Sequence, residues 1–160
     1  MDKKKFDLRT RGVRNNNPFN IKLTSDHWKG QLSRSESTDT HFVQFRSMYF
    51  GLRAGVLLLK NYLDMGYNTI SEILNRFAPP NENFTNHYIQ YVSSYLATDY
   101  DLEVNLPFPD VVVADREIVF GSVQFYHLCY AICMFESEYK FKVSDYNLIM
   151  ANEFNPKYQL

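Results

Sequence analysis

The sequence has few of the residues that build disulfide-rich, disordered or low-complexity chains. Its 160 residues include two cysteines, six glycines and six prolines. Cys129 and Cys133 are four residues apart in an apolar run with helical spacing, so they share one helix face, where a disulfide between successive turns fits poorly. We therefore predict two buried thiols and no disulfide framework.

Neither an excess of charge nor a long apolar run is present. The 17 basic and 18 acidic residues give a formal net charge of -1, which offers no general attraction for a polyanion. The longest apolar runs, 56–59 and 128–135, fall far short of the about 20 residues that a membrane-spanning helix needs. The lysines at 3–5 are followed by Phe-Asp-Leu-Arg, whose charged residues interrupt the apolar stretch that a secretory signal needs. We expect no nucleic-acid partner, no membrane span and no signal peptide.

Aromatic residues are abundant instead. The chain has 12 Tyr, 13 Phe and one Trp, and hydrophobic residues make up 45% of it, which is enough for one core in a chain of this length. No internal repeat is detectable. The sequence predicts a single domain over 1–160, with an irregular arm at 1–13 and a polar tail at 154–160.

Five segments have the spacing of apolar residues that is typical of helices. Thr69 with Glu72 three residues later forms a capping-box pattern. The stretch 118–135 is apolar nearly all round, which is typical of a helix enclosed by others; we call it the central helix. The predicted helices run from Ser47 to Gly66, over 70–77, from 81–83 to about Ala97, over 118–135 and over 143–153.

One region has the alternating pattern of extended structure. Apolar residues alternate with polar ones in 20–23 and 40–45, and a polar loop separates these pieces, which predicts a small β-hairpin. Residues 98–117 are interpreted as a connection with a short helix near its end. The sum is an α+β domain that is mainly helical.

Carboxylates are the remaining candidates for chemistry. The four histidines are scattered, without the spacing that builds a metal site on one helix. No nucleophile elbow and no glycine-rich phosphate loop is present. We predict no metal ion and no cofactor.

Glu136 follows the apolar stretch of the central helix. Apolar surroundings and the negative end of the helix dipole both disfavour ionisation, so the carboxyl is predicted to hold its proton near neutral pH. Cleavage of a glycosidic bond needs such an acid to protonate the leaving oxygen. The alternative is that Glu136 and Glu138 are solvated where the helix reaches the surface.

A second carboxylate is expected in the loop of the predicted hairpin. If this loop overhangs the end of the central helix, Glu36 or Asp39 faces Glu136 across a groove. Trp28 offers a flat apolar face for a sugar ring. Four polar residues before Trp28 either bond the backbone of a tight segment or line the substrate site; they are Arg14, Asn15, Asn17 and Asn20.

The run Arg-Gly-Val-Arg-Asn-Asn-Asn-Pro-Phe-Asn-Ile-Lys at 11–22, followed by Trp-Lys-Gly at 28–30, resembles the Arg-Gly-x-Arg-Asn-Asn-Asn-Pro-Gly-Asn-Ile-Arg signature of a family of phage and prophage proteins. Members of this family are labelled virion structural proteins or peptidoglycan-degrading, lysozyme-like proteins. The likeness continues in order to about residue 140, through 42–45, 51–54, 68–70 and 76–85. Phe19 stands at a glycine of the signature, and Ser137-Glu138 stands where the family has Asn-Gly.

A weaker resemblance links 17–22, 28–30 and 45–46 to the flagellar and autolysin glucosaminidases, which have a lysozyme-like fold. Their general-acid Glu precedes this stretch, where the present sequence has only Asp2 and Asp7 as acids. The run 131–137 resembles the helix ending in Glu-Ser of lytic transglycosylases. Together the resemblances imply a circularly permuted lysozyme-like domain whose acid-bearing helix follows the hairpin.

The function implied is cleavage of peptidoglycan glycan strands, of muramidase, glucosaminidase or lytic transglycosylase type, with Glu136 as the general acid. The alternatives are a non-catalytic virion structural or cell-wall-binding module with the same fold, and a toxin or immunity-type interaction protein of an injection system. The expected partners are peptidoglycan and components of a virion or injection system. The protein is expected to be made in the cytoplasm and to reach the bacterial cell wall through a virion, lysis or injection.

Overall fold

A computed structural model describes residues 7–80, 85–96 and 116–160, and over these ranges the protein is mainly helical. The α-helices are α1 (Arg11–Arg14), α2 (Met48–Asp64), α3 (Ile70–Phe77), α4 (Thr85–Leu96), α5 (Val123–Ser137) and α6 (Val143–Ile149). A π-helical segment, Met150–Phe154, continues α6, and a 3-10 turn covers Pro156–Tyr158. In the described ranges, no helix combines the length and the apolar character that crossing a membrane requires.

The predicted helix over 70–77 is confirmed at both ends. Thr69 caps α3, since its hydroxyl accepts a hydrogen bond from the Glu72 amide and donates one to the Glu72 carboxylate. The helix after Ser47 is also confirmed, but it ends at Asp64, two residues before Gly66, which has a φ of +91°. Local signals fix both boundaries.

The central helix starts later than predicted. Ser122 caps α5, its hydroxyl accepting from the Phe125 amide at 3.1 Å, and Gly121 before it has a φ of +78°. Ile118 instead follows an isolated antiparallel bridge between Thr69 and Glu117, and its amide donates to the Asn68 carbonyl. The apolar run therefore serves two elements, and α5 continues through Ser137, so that Glu136 lies in its last turn.

The predicted β-hairpin does not form regular strands. Between Asn20 and Arg46 the described chain has only isolated antiparallel bridges, Lys22 with Phe42 and Gln31 with Phe45. Two bonds, from the Leu23 amide to the His41 carbonyl and from the Val43 amide to the Ile21 carbonyl, keep the segments antiparallel. The pairing stops there because residues 15–17 bond to these segments themselves.

Asn17 supplies most of those competing bonds. Its side-chain amide donates to the carbonyls of Ile21 and Val43 at 2.9 and 2.8 Å, and its side-chain oxygen accepts from the Ile21 amide. The Asn15 carbonyl accepts from the Phe45 amide at 2.9 Å. Side-chain and main-chain groups of the Asn cluster thus occupy backbone groups that a longer ladder between the two segments would need.

The amino-terminal arm is not wholly irregular, because Thr10 caps the short helix α1 and its hydroxyl accepts from the Val13 amide. Part of the predicted tail is also ordered: Leu160 and Asn147 exchange hydrogen bonds that tie the tail to α6. The predicted start of the third helix at 81–83 and most of the 98–117 connection lie outside the described residues. Within the described residues that helix covers Thr85–Leu96.

The core is built around α5, which packs against α4 and α1. Both cysteines are fully buried free thiols, as predicted. Phe19 is also fully buried, and a Cβ at Gly55 of α2 would overlap its ring. Gly55, which has no side chain, therefore leaves room for the ring of Phe19, the residue that stands where the resembled signature has a glycine.

We expect Asn17→Ala to lower the free energy of unfolding by about 2–4 kcal/mol, because the buried Ile21 amide and Val43 carbonyl lose their partner and the Ile21 carbonyl keeps only the bond from the Val43 amide. Asn75→Ala is the matched control; Asn75 is exposed on α3 and bonds only the Ser71 carbonyl of its own helix, so its loss should stay below about 0.5 kcal/mol. Urea denaturation measures both. Equal losses for the two variants would contradict the structural role given to Asn17.

Candidate active site

Glu136 lines a cleft of about 390 Å³. The cleft lies among the segment 20–28, α2, the end of α3 and the end of α5. Aromatic and aliphatic side chains contribute most of its apolar surface, and a small number of charged groups accompany them. The lining residues are Asn20, Ile21, Lys22, Thr24, Asp26, Trp28, Phe42, Leu58, Tyr62, Phe77, Ala78 and Glu136.

The Glu136 carboxyl is partly buried at the wall of this cleft. Burial raises its pKa from 4.5 to about 7, against the positive charge of Lys22, which lowers it. The carboxyl is therefore poised to exchange a proton near neutral pH. This agrees in direction with the argument from the sequence, where an apolar helix end predicts a retained proton.

Residues that flank the Asn cluster hold the end of α5 in place. The Thr10 hydroxyl donates to the Ser137 carbonyl at 2.6 Å, and the Asn20 side-chain amide donates to the Glu136 carbonyl at 3.4 Å. These carbonyls belong to the last turn of α5, where no intrahelical donor is available. The capping contacts fix the backbone from which Glu136 projects.

Backbone geometry also keeps this corner tight. A Cβ at Gly12 of α1 would overlap the Ser137 side chain, so only glycine lets the two helices meet this closely. Asn20 and Glu138 have φ values of +54° and +52°; asparagine tolerates this left-handed conformation, whereas glutamate is strained in it. Glu138 occupies the position where the resembled family has glycine.

The predicted polar site residues separate into two groups. Asn20 and Trp28 line the cleft with Glu136. Asn15 donates to the Asp39 carboxylate, Asn17 is buried in the core, and the exposed Arg14 bonds the Arg9 carbonyl. Arg14, Asn15 and Asn17 do not line the cleft. The hydrogen bonds that they make join parts of the protein to one another.

Asp39, predicted as the opposite carboxylate, lies elsewhere. It faces a separate depression of about 320 Å³ and accepts two hydrogen bonds from Arg11, one from Asn15 and two from the amides of His41 and Phe42. The bonds from Arg11 hold the pKa of Asp39 well below its usual range, although burial opposes them. Asp39 therefore anchors its loop to α1.

Glu36 is exposed and accepts a hydrogen bond from the Ser33 hydroxyl. It does not line the cleft either. The 33–39 loop therefore does not place Glu36 or Asp39 across the cleft from Glu136. The ion pair between Arg11 and Asp39 holds this loop against α1 instead.

The acid that shares the cleft with Glu136 is Asp26, a residue not predicted from the sequence. Lys22, Tyr62 and Phe77 were missed as well. The available signal for Asp26 was its place two residues before Trp28, in the same loop as Asn20. Nothing in helix periodicity separates Tyr62 from the core positions of α2, so its place at the cleft depends on tertiary packing.

In the described ranges, no group of three or more His, Cys, Asp and Glu side chains is arranged to hold a metal ion. The chemistry that the cleft supports through its own groups is proton transfer by Glu136, next to aromatic surfaces and two further charges, Lys22 and Asp26.

A mainly helical domain with a carboxyl of near-neutral pKa in an aromatic cleft is the class of protein that these observations define. No family model matches the chain. It is 35% identical over 117 residues to Protein P5 of Pseudoalteromonas phage PM2, which covers 70% of this chain and 72% of that protein. The chain belongs to the family of this phage protein, which supports the predicted phage association.

The raised pKa of Glu136 predicts how stability changes with pH. Below about pH 4.5 the group is protonated in both states; between about 4.5 and 7 the unfolded state loses its proton first, so the stability contributed by Glu136 is lost as pH rises. Relative to Glu136→Gln, the wild type should lose up to about 3 kcal/mol over this interval. Urea denaturation at each pH measures the difference; a difference independent of pH would contradict the burial of this carboxyl.

Proposed function

We propose that this protein cleaves the glycan strands of peptidoglycan, with Glu136 as the general acid. The observation that carries the proposal is a carboxyl whose pKa is about 7, at the wall of an aromatic cleft. General acids work best when their pKa is close to the working pH, because the proton is then both present and transferable.

The cleft has the surfaces that a saccharide needs. The rings of Trp28, Tyr62 and Phe77 line it, and aromatic rings pack against the apolar faces of sugar rings. Lys22 and Asp26 add polar groups for hydroxyl and amide substituents. A volume of about 390 Å³ is within the usual range of small-molecule sites, about 300–1,000 Å³.

Glu136 donates its proton to the glycosidic oxygen as the bond to the sugar carbon breaks, and the resulting carboxylate is the base for the second step. In hydrolysis that base activates a water molecule, and Asp26 is the second carboxylate of the cleft. In the lytic transglycosylase route a hydroxyl of the substrate closes an anhydro ring instead, and Glu136 suffices. Both routes begin with the same proton transfer, and the product distinguishes them.

The proposed fold is a circularly permuted lysozyme-like domain. Its support is the order of the elements: the acid-bearing helix α5 follows the antiparallel segments of 20–46, and the resembled signature packs on the end of α5. The proposed place of action is the bacterial cell wall, reached through a virion, lysis or injection, with peptidoglycan and virion or injection-system components as partners.

A second candidate is a non-catalytic virion structural or cell-wall-binding module. Two observations favour it: the chain belongs to the family of a phage protein, and neither Glu36 nor Asp39 faces Glu136 across the cleft. A binding module would use the same aromatic surface without proton transfer.

Glu136→Gln should abolish the clearing of purified peptidoglycan, with a loss of at least about 100-fold in rate, because the amide has no proton to donate. Glu138→Gln is the matched control: it makes the same change two residues further on, at an exposed side chain, and should retain activity. Turbidity measures clearing, and mass spectrometry of the released fragments separates reducing ends from anhydro ends.

Three results decide between the candidates. Clearing by the wild type and Glu138→Gln, but not by Glu136→Gln, supports the enzyme. Equal clearing by wild type and Glu136→Gln would show that Glu136 is not the acid. Co-sedimentation of the wild type with insoluble peptidoglycan, without clearing and with loss of binding in Trp28→Ala, would support the binding module.

A further inference from the structure

The guanidinium of Arg76, in the last turn of α3, lies over two tyrosine rings. Its central carbon is 4.8 Å from the centroid of the Tyr67 ring and 5.5 Å from that of the Tyr62 ring. Contact with aromatic faces restricts the position of a guanidinium and leaves the N–H donors in its plane available for an acceptor. The side chain is therefore held in place before any ligand binds.

Arg76 has no acceptor of its own in the described ranges. Arg11 and Arg53 each form an ion pair with a carboxylate, whereas no ion pair or hydrogen bond joins the Arg76 side chain to another described residue. Glu72, one turn earlier on α3, accepts a hydrogen bond from the Thr69 hydroxyl at 2.9 Å instead. Because Arg76 is exposed, its donors are accessible to a ligand.

Arg76 lies between the cleft and a second depression. Tyr62, whose ring it contacts, lines the cleft, and so does Phe77, the next residue of α3. Arg76 itself lines a depression of about 440 Å³ together with Tyr67. The guanidinium is thus next to one of the rings on which the proposed function packs a sugar.

We propose that Arg76 binds a carboxylate carried by the saccharide in the cleft, and that it thereby selects glycan strands that contain N-acetylmuramic acid. The inference rests on the proposed function. N-acetylmuramic acid carries a lactyl carboxyl, which is either free or joined to a peptide stem with carboxylates of its own, whereas N-acetylglucosamine carries no acid. A planar guanidinium with free donors fits a carboxylate through two parallel hydrogen bonds.

Two other charged groups bear on this site. Glu72 lines the depression with Arg76, so its negative charge opposes an acidic ligand and limits the affinity. Lys22 lines the cleft and is a second cation close to a bound saccharide. A positive charge in the last turn of α3 also stabilises the helix through its dipole. Recognition by Arg76 is separated from these effects by comparing saccharides that differ in the acidic substituent.

Three saccharides provide this comparison. Chitobiose has no acid, the disaccharide of N-acetylglucosamine and N-acetylmuramic acid has the lactyl carboxylate, and the same disaccharide with a tripeptide stem has carboxylates on the peptide. The fluorescence of Trp28, the one tryptophan of the sequence and a lining residue of the cleft, measures their dissociation constants. The full chain carries Glu136→Gln so that no ligand is cleaved. The preference is the dissociation constant for chitobiose divided by that for an acidic saccharide.

We expect a preference of about tenfold for at least one acidic saccharide. Arg76→Gln should reduce it to about one and leave the dissociation constant for chitobiose unchanged, because Arg76 does not line the cleft. Arg34→Gln is the matched control: it makes the same change at an exposed arginine that lines neither hollow, and it should keep the preference. A preference for the disaccharide without peptide identifies the lactyl carboxylate, and one confined to the tripeptide form identifies the stem.

The inference is overturned if the preference is absent, if it persists in Arg76→Gln, since Lys22 or another group then supplies it, or if no saccharide binds. Clearing of peptidoglycan by the wild type tests the proposed function separately. If no clearing is found but a preference depends on Arg76, the enzyme fails and the carboxylate site stands, in a binding module. If clearing is found without a preference, the carboxylate site fails alone.

Discussion

The site depends on how the last turn of α5 is held. A helix of this kind ends with unpaired carbonyls, and here two of them receive donors from the opposite end of the chain, Thr10 to Ser137 and Asn20 to Glu136. The close approach of Gly12 to Ser137 adds packing to the polar contacts. Because these contacts fix the backbone at 136 and 137, the carboxyl of Glu136 stays at the wall of the cleft, partly removed from water, and its pKa rises.

The polar motif between Thr10 and Asn20 organises the surrounding chain. Asn17 bonds both antiparallel segments from inside the core, and Asn15 joins Arg11 in holding Asp39. The motif therefore connects α1, the 20–46 region and the end of α5. Its amides act on the protein's own backbone, while Asn20, at its far end, also reaches the cleft.

Elements with a strong local signal could be predicted from the sequence. Thr69 and Glu72 specify the start of α3, and the following prolines agree with its end. The hairpin prediction failed because alternation does not show that Asn17 occupies the backbone groups that a longer ladder needs. The start of α5 was placed too early because apolar character alone does not separate Ile118, which lies outside the helix, from the helical residues. At the site, the burial of a helix-end carboxyl was readable at Glu136, whereas the position of Asp39 depends on its pairing with Arg11, 28 residues away in sequence.

Protonation of Glu136 joins the fold to the proposed chemistry, since the same burial that follows from the capped end of α5 gives the carboxyl its working proton. The most direct measurement is the titration of the wild-type Glu136 side chain, followed by NMR at its carboxyl carbon. The account predicts a midpoint at about pH 7. A midpoint at about 4.5, the ordinary value for a solvated glutamate, would contradict it.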